Sequence, residues 1–480
     1  MPTPRTASPR APAGSAPREA NSALRAALDH AGWTPRDLIR ALNPRLDAIG
    51  QPRLDLTAAH AWLRGSRPRS PAVRRLTAAV LSEATGTPHT AAALWGAIPG
   101  PRVEATATDG LLGRRSLTDV LATATAWTSG DVYDQVAVHP APEDRLFAAV
   151  WDATRQAPHT PAPAAAGADH VHPPLMDLLE RHLAELRRLD DTAGGGALSQ
   201  RYVRTALANV LDLLRHSRYT PAIGIRLLRN AAGLAQLAGW MAFDASLPAA
   251  AQRYQLLAIR LARAAEDHDA VANVLGMLAY QHAAIHHPAA ALRFAEAALD
   301  HTHRSLPVVR ARALGRLATA HAAAGDIDAF RSASEQCRAL LQRHRAHDGP
   351  PYLYYFTAEQ VAAEAGQALV DLAAANAASP RRLLTEAVHQ LAPLAAYGPA
   401  TGYRRSALLH GIHLARATLQ ARDAEATVQA LLRLTDHLGD VQSIRCRHLL
   451  AQLRRRAGSQ LRSPEGADAL RRLDQALSEP

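Results

Sequence analysis

The chain has no lysine: all 54 of its basic residues are arginine. So complete a replacement is the mark of GC-rich coding and by itself says little about chemistry. Cysteine is almost as scarce. Cys337 and Cys446 stand far apart, which argues against a disulfide framework or a CxxC metal knuckle and suits a reducing, cytoplasmic setting. Aromatic residues make up 4% of the chain although hydrophobic residues make up 48%. The apolar mass is therefore alanine and leucine, both strong helix formers, and the β-branched and aromatic residues that favour strands are sparse. No apolar run approaches the ~20 residues of a membrane span. The stretch 1–20 is rich in Pro, Ala, Ser and Arg and lacks an apolar core. It reads as a disordered basic arm and not as a secretory signal.

What is present points to an all-α protein. At roughly 150 residues per domain the chain is too long for one core. A helical array is the exception, because each hairpin buries its face on its neighbours. The net charge of +11 is unevenly spread: residues 1–100 hold 13 Arg against 6 Asp and Glu, and residues 101–170 hold 5 against 9. The N-terminal surplus suits a domain that touches phosphates.

Residues 21–96 read as a compact helical block. Ala23, Leu24, Ala27, Leu28 and Ala31 keep helical spacing and Gly32 ends that helix. Thr34-Pro35 starts a second helix, which Asn43-Pro44 is expected to close. A polar connection over 43–54 leads to a third helix, 55–65, ended by Gly65, and a fourth covers 71–84. Residues 97–171 form an acidic, Pro/Ala-rich linker with short helices expected at 116–128 and 143–156. From 172 to 478 amphipathic Ala/Leu helices follow one another, expected at 173–190, 197–217, 221–240, 248–265, 269–285, 288–301, 306–324, 326–344, 352–366, 380–395, 402–420, 423–437, 441–456 and 466–477. Similar segments starting at Pro248, Pro288 and Asp326 recur at 40 and 38 residues, the signature of a helical-hairpin solenoid.

The third helix carries the chemistry. Leu56, Ala59 and Leu63 fall on one face, with Trp62 at the flank as an anchor. Thr57, His60, Ala61 and Arg64 fall opposite, so a hydroxyl, an imidazole and a guanidinium are offered to a major groove. Arg67, Arg69, Arg74 and Arg75 follow as phosphate contacts. The segment 21–83 resembles helix-turn-helix domains of the lambda-repressor/Xre type, through the helix 34–42, the string Thr57-Ala-Ala-His-Ala-Trp-Leu-Arg-Gly65 and the basic-proline turn after it. The connection 43–54 is longer than that family's tight turn, and alanines stand where longer side chains read bases. Specificity is then either weak or supplied by Arg53, the connection and the N-terminal arm. Double-stranded promoter DNA is the expected partner, read by a homodimer on paired half-sites.

Residues 172–457 resemble the C-terminal part of streptomycete helix-turn-helix/TPR regulators of differentiation and antibiotic production. The resemblance rests on Leu189-Asp-Asp-Thr-Ala-Gly-Gly-Gly196, Leu234-Ala-Gln-Leu-Ala-Gly-Trp-Met-Ala-Phe-Asp244 and Gln252-Arg-Tyr-Gln-Leu-Leu-Ala-Ile-Arg-Leu-Ala262. It implies a transcription regulator on the cytoplasmic nucleoid, whose TPR-like array dimerises or takes up a peptide, protein or small-molecule signal. Groove candidates are Asn230, Gln236, Trp240, Asn273, Tyr280 and His321, with Arg229 and Arg253 placed to pair with a carboxylate. The rival reading is a TPR interaction scaffold whose N-terminal domain does not bind DNA.

No motif supports an enzyme. His282 and His286 have i, i+4 spacing but no accompanying HExxH glutamate or cysteine, so neither a metal nor a cofactor is expected. Gly194-Gly-Gly196 lacks the Lys and Ser/Thr of a phosphate loop and reads as a turn.

Overall fold

Alanine and leucine at helical spacing fold as their propensities dictate. The computed structural model describes residues 20–48, 51–68, 70–85, 87, 89–95, 110–111, 113, 115–129, 140–155, 169–343, 349–375, 380–395 and 403–478. Among these described residues there are 21 α-helices, one short 3-10 turn at Pro351–Leu353 and no strand. No helix among them is long and apolar enough to cross a membrane. The helices fall into two compact units, one drawn from Met1–Leu46 and Pro52–Arg102, the other from Asp47–Gln51 and Val103–Pro480.

The smaller unit contains α1 (Ser22–Ala31), α2 (Pro35–Ala48), α3 (Ala58–Leu63), α4 (Pro71–Thr85) and α5 (Ala91–Trp95). Asn21 caps α1 by accepting from the Leu24 N–H at 2.9 Å, and its amide donates to the Leu94 carbonyl at 2.8 Å. Gly32, at φ 64°, turns the chain out of α1. Leu24, Leu38, Ile39, Leu42 and Leu81 lose all solvent contact. Contrary to the sequence reading, α2 does not stop at Pro44. Beyond the proline Leu46 is fully buried and Arg45 pairs with Glu83, which offsets the one hydrogen bond the proline removes. Asn43 then clamps the connection to α3: its side chain accepts from Leu54 N–H at 2.8 Å and donates to Leu54 carbonyl at 3.0 Å.

The larger unit opens with α6 (Leu117–Ser129) and α7 (Glu143–Arg155). Sequence pattern gave these two helices no partner; they pack as an outer layer on the array. Val120, Ala124, Leu146 and Ala149 are buried in the same cluster as residues of the following helices. Gln252 accepts from the Ala141 N–H at 2.8 Å, and Arg260 donates to the Gly113 carbonyl at 2.8 Å. Fourteen helices follow: α8 (Pro173–Ala193), α9 (Ala197–His216), α10 (Pro221–Asp244), α11 (Pro248–Ala264), α12 (His268–Ala284), α13 (Pro288–Asp300), α14 (Pro307–Ala323), α15 (Ile327–Gln342), α16 (Ala358–Ala375), α17 (Pro380–Ala395), α18 (Arg404–Gln420), α19 (Ala424–Leu438), α20 (Ile444–Ala457) and α21 (Pro464–Ser478). α16 begins later than the expected 352, because Leu353 and Phe356 are buried in a turn before it and Thr357 accepts from the Gln360 N–H as its cap.

Neighbouring helices pack as hairpins joined by one recurring turn. Ser246, Glu266, His286, Gly325 and Arg422 all take positive φ, between 55° and 80°. In each case the next residue's N–H bonds the carbonyl five residues back, as Asp267 does to Ala262 at 2.9 Å and Asp326 to His321 at 3.0 Å. This left-handed closure satisfies the last carbonyls of the helix. Asp267, Asp326 and Asp423 then cap the next helix through their carboxylates.

The array also closes on its own beginning. α8 packs on α18, and α10 packs on α20. The Gln442 N–H donates to the Ala193 carbonyl at 2.8 Å, and Arg445 donates to the Tyr280 hydroxyl at 2.7 Å. The glycines 194–196 make this approach feasible. A Cβ at Gly194 would lie 2.8 Å from the Gln442 carbonyl oxygen, and one at Gly195 would lie 3.0 Å from the Cα of Met241.

Candidate functional site

Two places gather functional side chains. On the smaller unit α3 is only six residues long. It buries Ala59, Trp62 and Leu63, and Trp62 meets Trp95 edge-on at 5.7 Å between ring centroids. The Asn21 N–H holds the end of the helix by donating to the Leu63 carbonyl at 3.0 Å. Leu56, expected on the packing face, is instead 42% exposed, because it sits in the turn before a helix that starts at Ala58. His60 and Arg64 are exposed. Thr57 is exposed too, and its hydroxyl is taken up by Asp55, whose carboxyl that bond lowers. Arg53 and Arg67 are exposed; Arg74 and Arg75 are half-buried, and the Arg74 carbonyl accepts from Trp95 Nε1 at 3.4 Å. Arg69 lies outside the described residues.

Within the larger unit the closed array surrounds a pocket of about 770 Å³, its open mouth included. Aromatic rings form part of its wall: Trp240 on α10, Tyr280 on α12 and the tyrosines 352, 354 and 355 before α16. Trp240 and Tyr280 stand 5.9 Å apart at a 33° tilt. Arginines stack on these rings, Arg316 over Tyr280 at 4.4 Å and Arg405 over Trp240 at 5.3 Å, a favourable arrangement of charge on ring face.

The charges around the pocket are buried and shared. Arg405 donates to Asp190 Oδ2 at 3.1 Å, to Asp191 Oδ1 at 3.4 Å and to the Asp190 carbonyl at 3.2 Å. Tyr354 donates to the other oxygen of Asp191. Burial pushes Asp190 up to about 7, against the pull of Arg405. Burial also works against the Arg405 charge, but Asp190, Asp244 and Asp191 outweigh it and hold the guanidinium above its ordinary value. Opposite, Arg312 grips Glu364 with two bonds of 2.7 and 3.2 Å while Arg316 stands 3.6 Å from the same carboxylate. Burial would raise Glu364, but Arg312 and Arg316 outweigh it and hold it at about 2. His410 is kept neutral by burial, at about 4. It accepts from Gln367 at 2.7 Å and its other nitrogen lies 3.3 Å from Gln360.

No family model matches the chain, and no curated protein does. The arrangement of its own residues therefore carries the functional argument.

Of the eight groove residues expected from sequence, Gln236, Trp240, Asn273 and Tyr280 line the pocket. Arg229 is exposed and pairs with Asp267 at 3.5 Å. Asn230 is buried within α10. Arg253 is buried away from the pocket lining, over the Trp127 ring at 4.3 Å, because it belongs to a second helix of a hairpin that packs under α6. His321 is half-buried at the end of α14, away from the pocket lining. Among the crowded histidines His282 bonds the Leu278 carbonyl at 2.8 Å, and His287, whose ring meets that of His282 at 6.5 Å, pairs with Glu143. Both thiols are buried, which pushes Cys337 up to about 12 and Cys446 up to about 11.

The sequence reading missed Arg187, Asp190, Asp191, Arg316, Glu364 and Arg405. Charged residues on helices look like solvated faces until the array is closed. One signal was available: Tyr352, Tyr354 and Tyr355 cluster in a chain with 4% aromatics.

Proposed function

We propose that the chain is a transcription regulator that binds promoter DNA through its Xre-like smaller unit and receives a signal, or dimerises, through its TPR-like array. Control of development or secondary metabolism is what the family resemblance adds. The observation that carries the reading is the division of α3, which buries Ala59, Trp62 and Leu63 and leaves His60 and Arg64 exposed. A helix held down on one face and carrying an imidazole and a guanidinium on the other matches what entry into a major groove requires. The test is binding of the full chain to promoter DNA across salt. Affinity should fall steeply with salt, since each neutralised phosphate releases about 0.9 counterion. Arg64→Ala should weaken specific binding, and Arg67→Ala should lower the salt slope by about 1. Absent or salt-independent binding refutes the reading.

One observation favours an interaction scaffold instead. Ala58 and Ala61 leave α3 and its C-cap only two long polar side chains, His60 and Arg64, for a groove. Unchanged promoter occupancy in cells carrying Arg64→Ala and Arg67→Ala together would select that alternative.

A further inference from the structure

The array closes on itself, and that bears on what it can receive. An open concave stack accommodates an extended peptide along its length. Here α8 meets α18, and Arg405 with Asp190 and Asp191 bars the way between them. What is left is a partly open pocket, lined by rings and charges, that has room for a small molecule and not for an extended chain.

The lining says which molecules. Arg405 is taken up by Asp190 and Asp191, and Glu364 by Arg312. Two cations facing the pocket are left without a carboxylate of their own. Arg316, 5% exposed, has only a 3.6 Å share in Glu364. Arg187 has no hydrogen bond and no ion pair among the described residues, and rests over the Tyr352 ring at 5.9 Å. The Tyr352 hydroxyl is buried without a partner as well. Unpaired buried donors of this kind are destabilising until something accepts from them. Beside them lie the rings of Trp240 and Tyr280, which already carry Arg405 and Arg316.

We propose that the central pocket binds a small ring-bearing oxyanion, a carboxylate or a phosphate, held by Arg187, Arg316 and Tyr352 with its ring against Trp240 and Tyr280. This rests on the reading of the array as the receiving part of the protein. The test below contains no DNA, so failure here and failure of DNA binding are told apart.

The probe is 8-anilinonaphthalene-1-sulfonate, an aromatic anion, compared with N-phenyl-1-naphthylamine, the same ring system without the charge. The full chain should bind the anion at one site, and Arg187→Gln should weaken that binding about tenfold or more, as loss of a charge-assisted bond does. Binding of the neutral amine should stay within about twofold. Arg187 holds no other group in place, so the variant should fold, which circular dichroism checks. Ser406→Tyr, which adds bulk to the pocket lining and removes no charged group, should abolish binding of both probes. Displacement by benzoate or by phenyl phosphate, but not by benzamide, identifies the oxyanion and its type. The proposal is overturned if Arg187→Gln and Ser406→Tyr leave anion binding unchanged, if the amine binds as tightly as the anion, or if benzamide displaces the probe as well as benzoate does.

Discussion

Removing Arg405 tests whether the array is closed as the structure has it. Its guanidinium joins α18 to Asp190 and Asp191 on α8, with side chains 7%, 4% and 12% exposed. Arg405→Leu keeps a comparable apolar stem but takes from Asp190, Asp191 and Asp244 the arginine they share, with only Arg187 left to act on Asp191. Breaking a buried pair in this way costs about 3–5 kcal/mol, whereas an exposed pair is worth about 1 kcal/mol at most. The loss should depend on pH. Without the arginine Asp190 and Asp191 titrate higher, and protonation relieves the penalty by about 1.4 kcal/mol for each pH unit below their new values. Urea unfolding of the full chain followed by circular dichroism should therefore show the full loss at pH 8 and a smaller one at pH 5. Amide exchange in α8 and α18 should accelerate at pH 8. Adding Asp190→Asn and Asp191→Asn to Arg405→Leu should recover part of the stability, since of the carboxylates that faced the arginine only Asp244 then keeps its charge. A loss under about 1 kcal/mol, or one that is the same at both pH values, refutes the argument.

Two further outcomes follow from the same geometry. Asp190 has its folded value raised from 3.8 to about 7, so the folded chain holds a proton that the unfolded chain releases. That contribution to stability is complete below pH ~4 and is lost as pH rises through ~7; Asp190→Asn should flatten the stability profile across that window in a pH series of urea melts. Glu266 is exposed at φ 55° and Gly325 sits at φ 80° in the equivalent turn. Glu266→Gly should gain up to about 1 kcal/mol and Gly325→Ala should lose about as much in thermal unfolding, because the left-handed region is strained for side chains with a Cβ.

How far the sequence could be read follows from the range of the interactions involved. Fourteen helices were legible from 173 onward because hairpin packing is local, and turns such as Gly325-Asp326 mark themselves. The course of α2 through Pro44 was not legible, since it depends on Leu46 finding a core and Arg45 finding Glu83, 38 residues away. Leu56 was misplaced by extending a helical period two residues too far. Half the expected groove residues reach the pocket, because inner helices can be told from outer ones by phase. The charged half of the lining was hidden, because the partners Asp190 and Arg405 lie 215 residues apart and helical periodicity carries no information at that distance.

The junction at Ala193 and Gln442 has a consequence for how such a chain can vary. An open stack of hairpins tolerates the gain or loss of one, since every interior unit sees the same neighbours. A stack whose late turns bond its first helix has no spare register. Deleting any hairpin between α8 and α18 would withdraw Gln442 and Arg405 from the places where α8 waits for them. The number of hairpins is thereby fixed by geometry, and local breathing anywhere along the circuit is felt at the one place where it is joined.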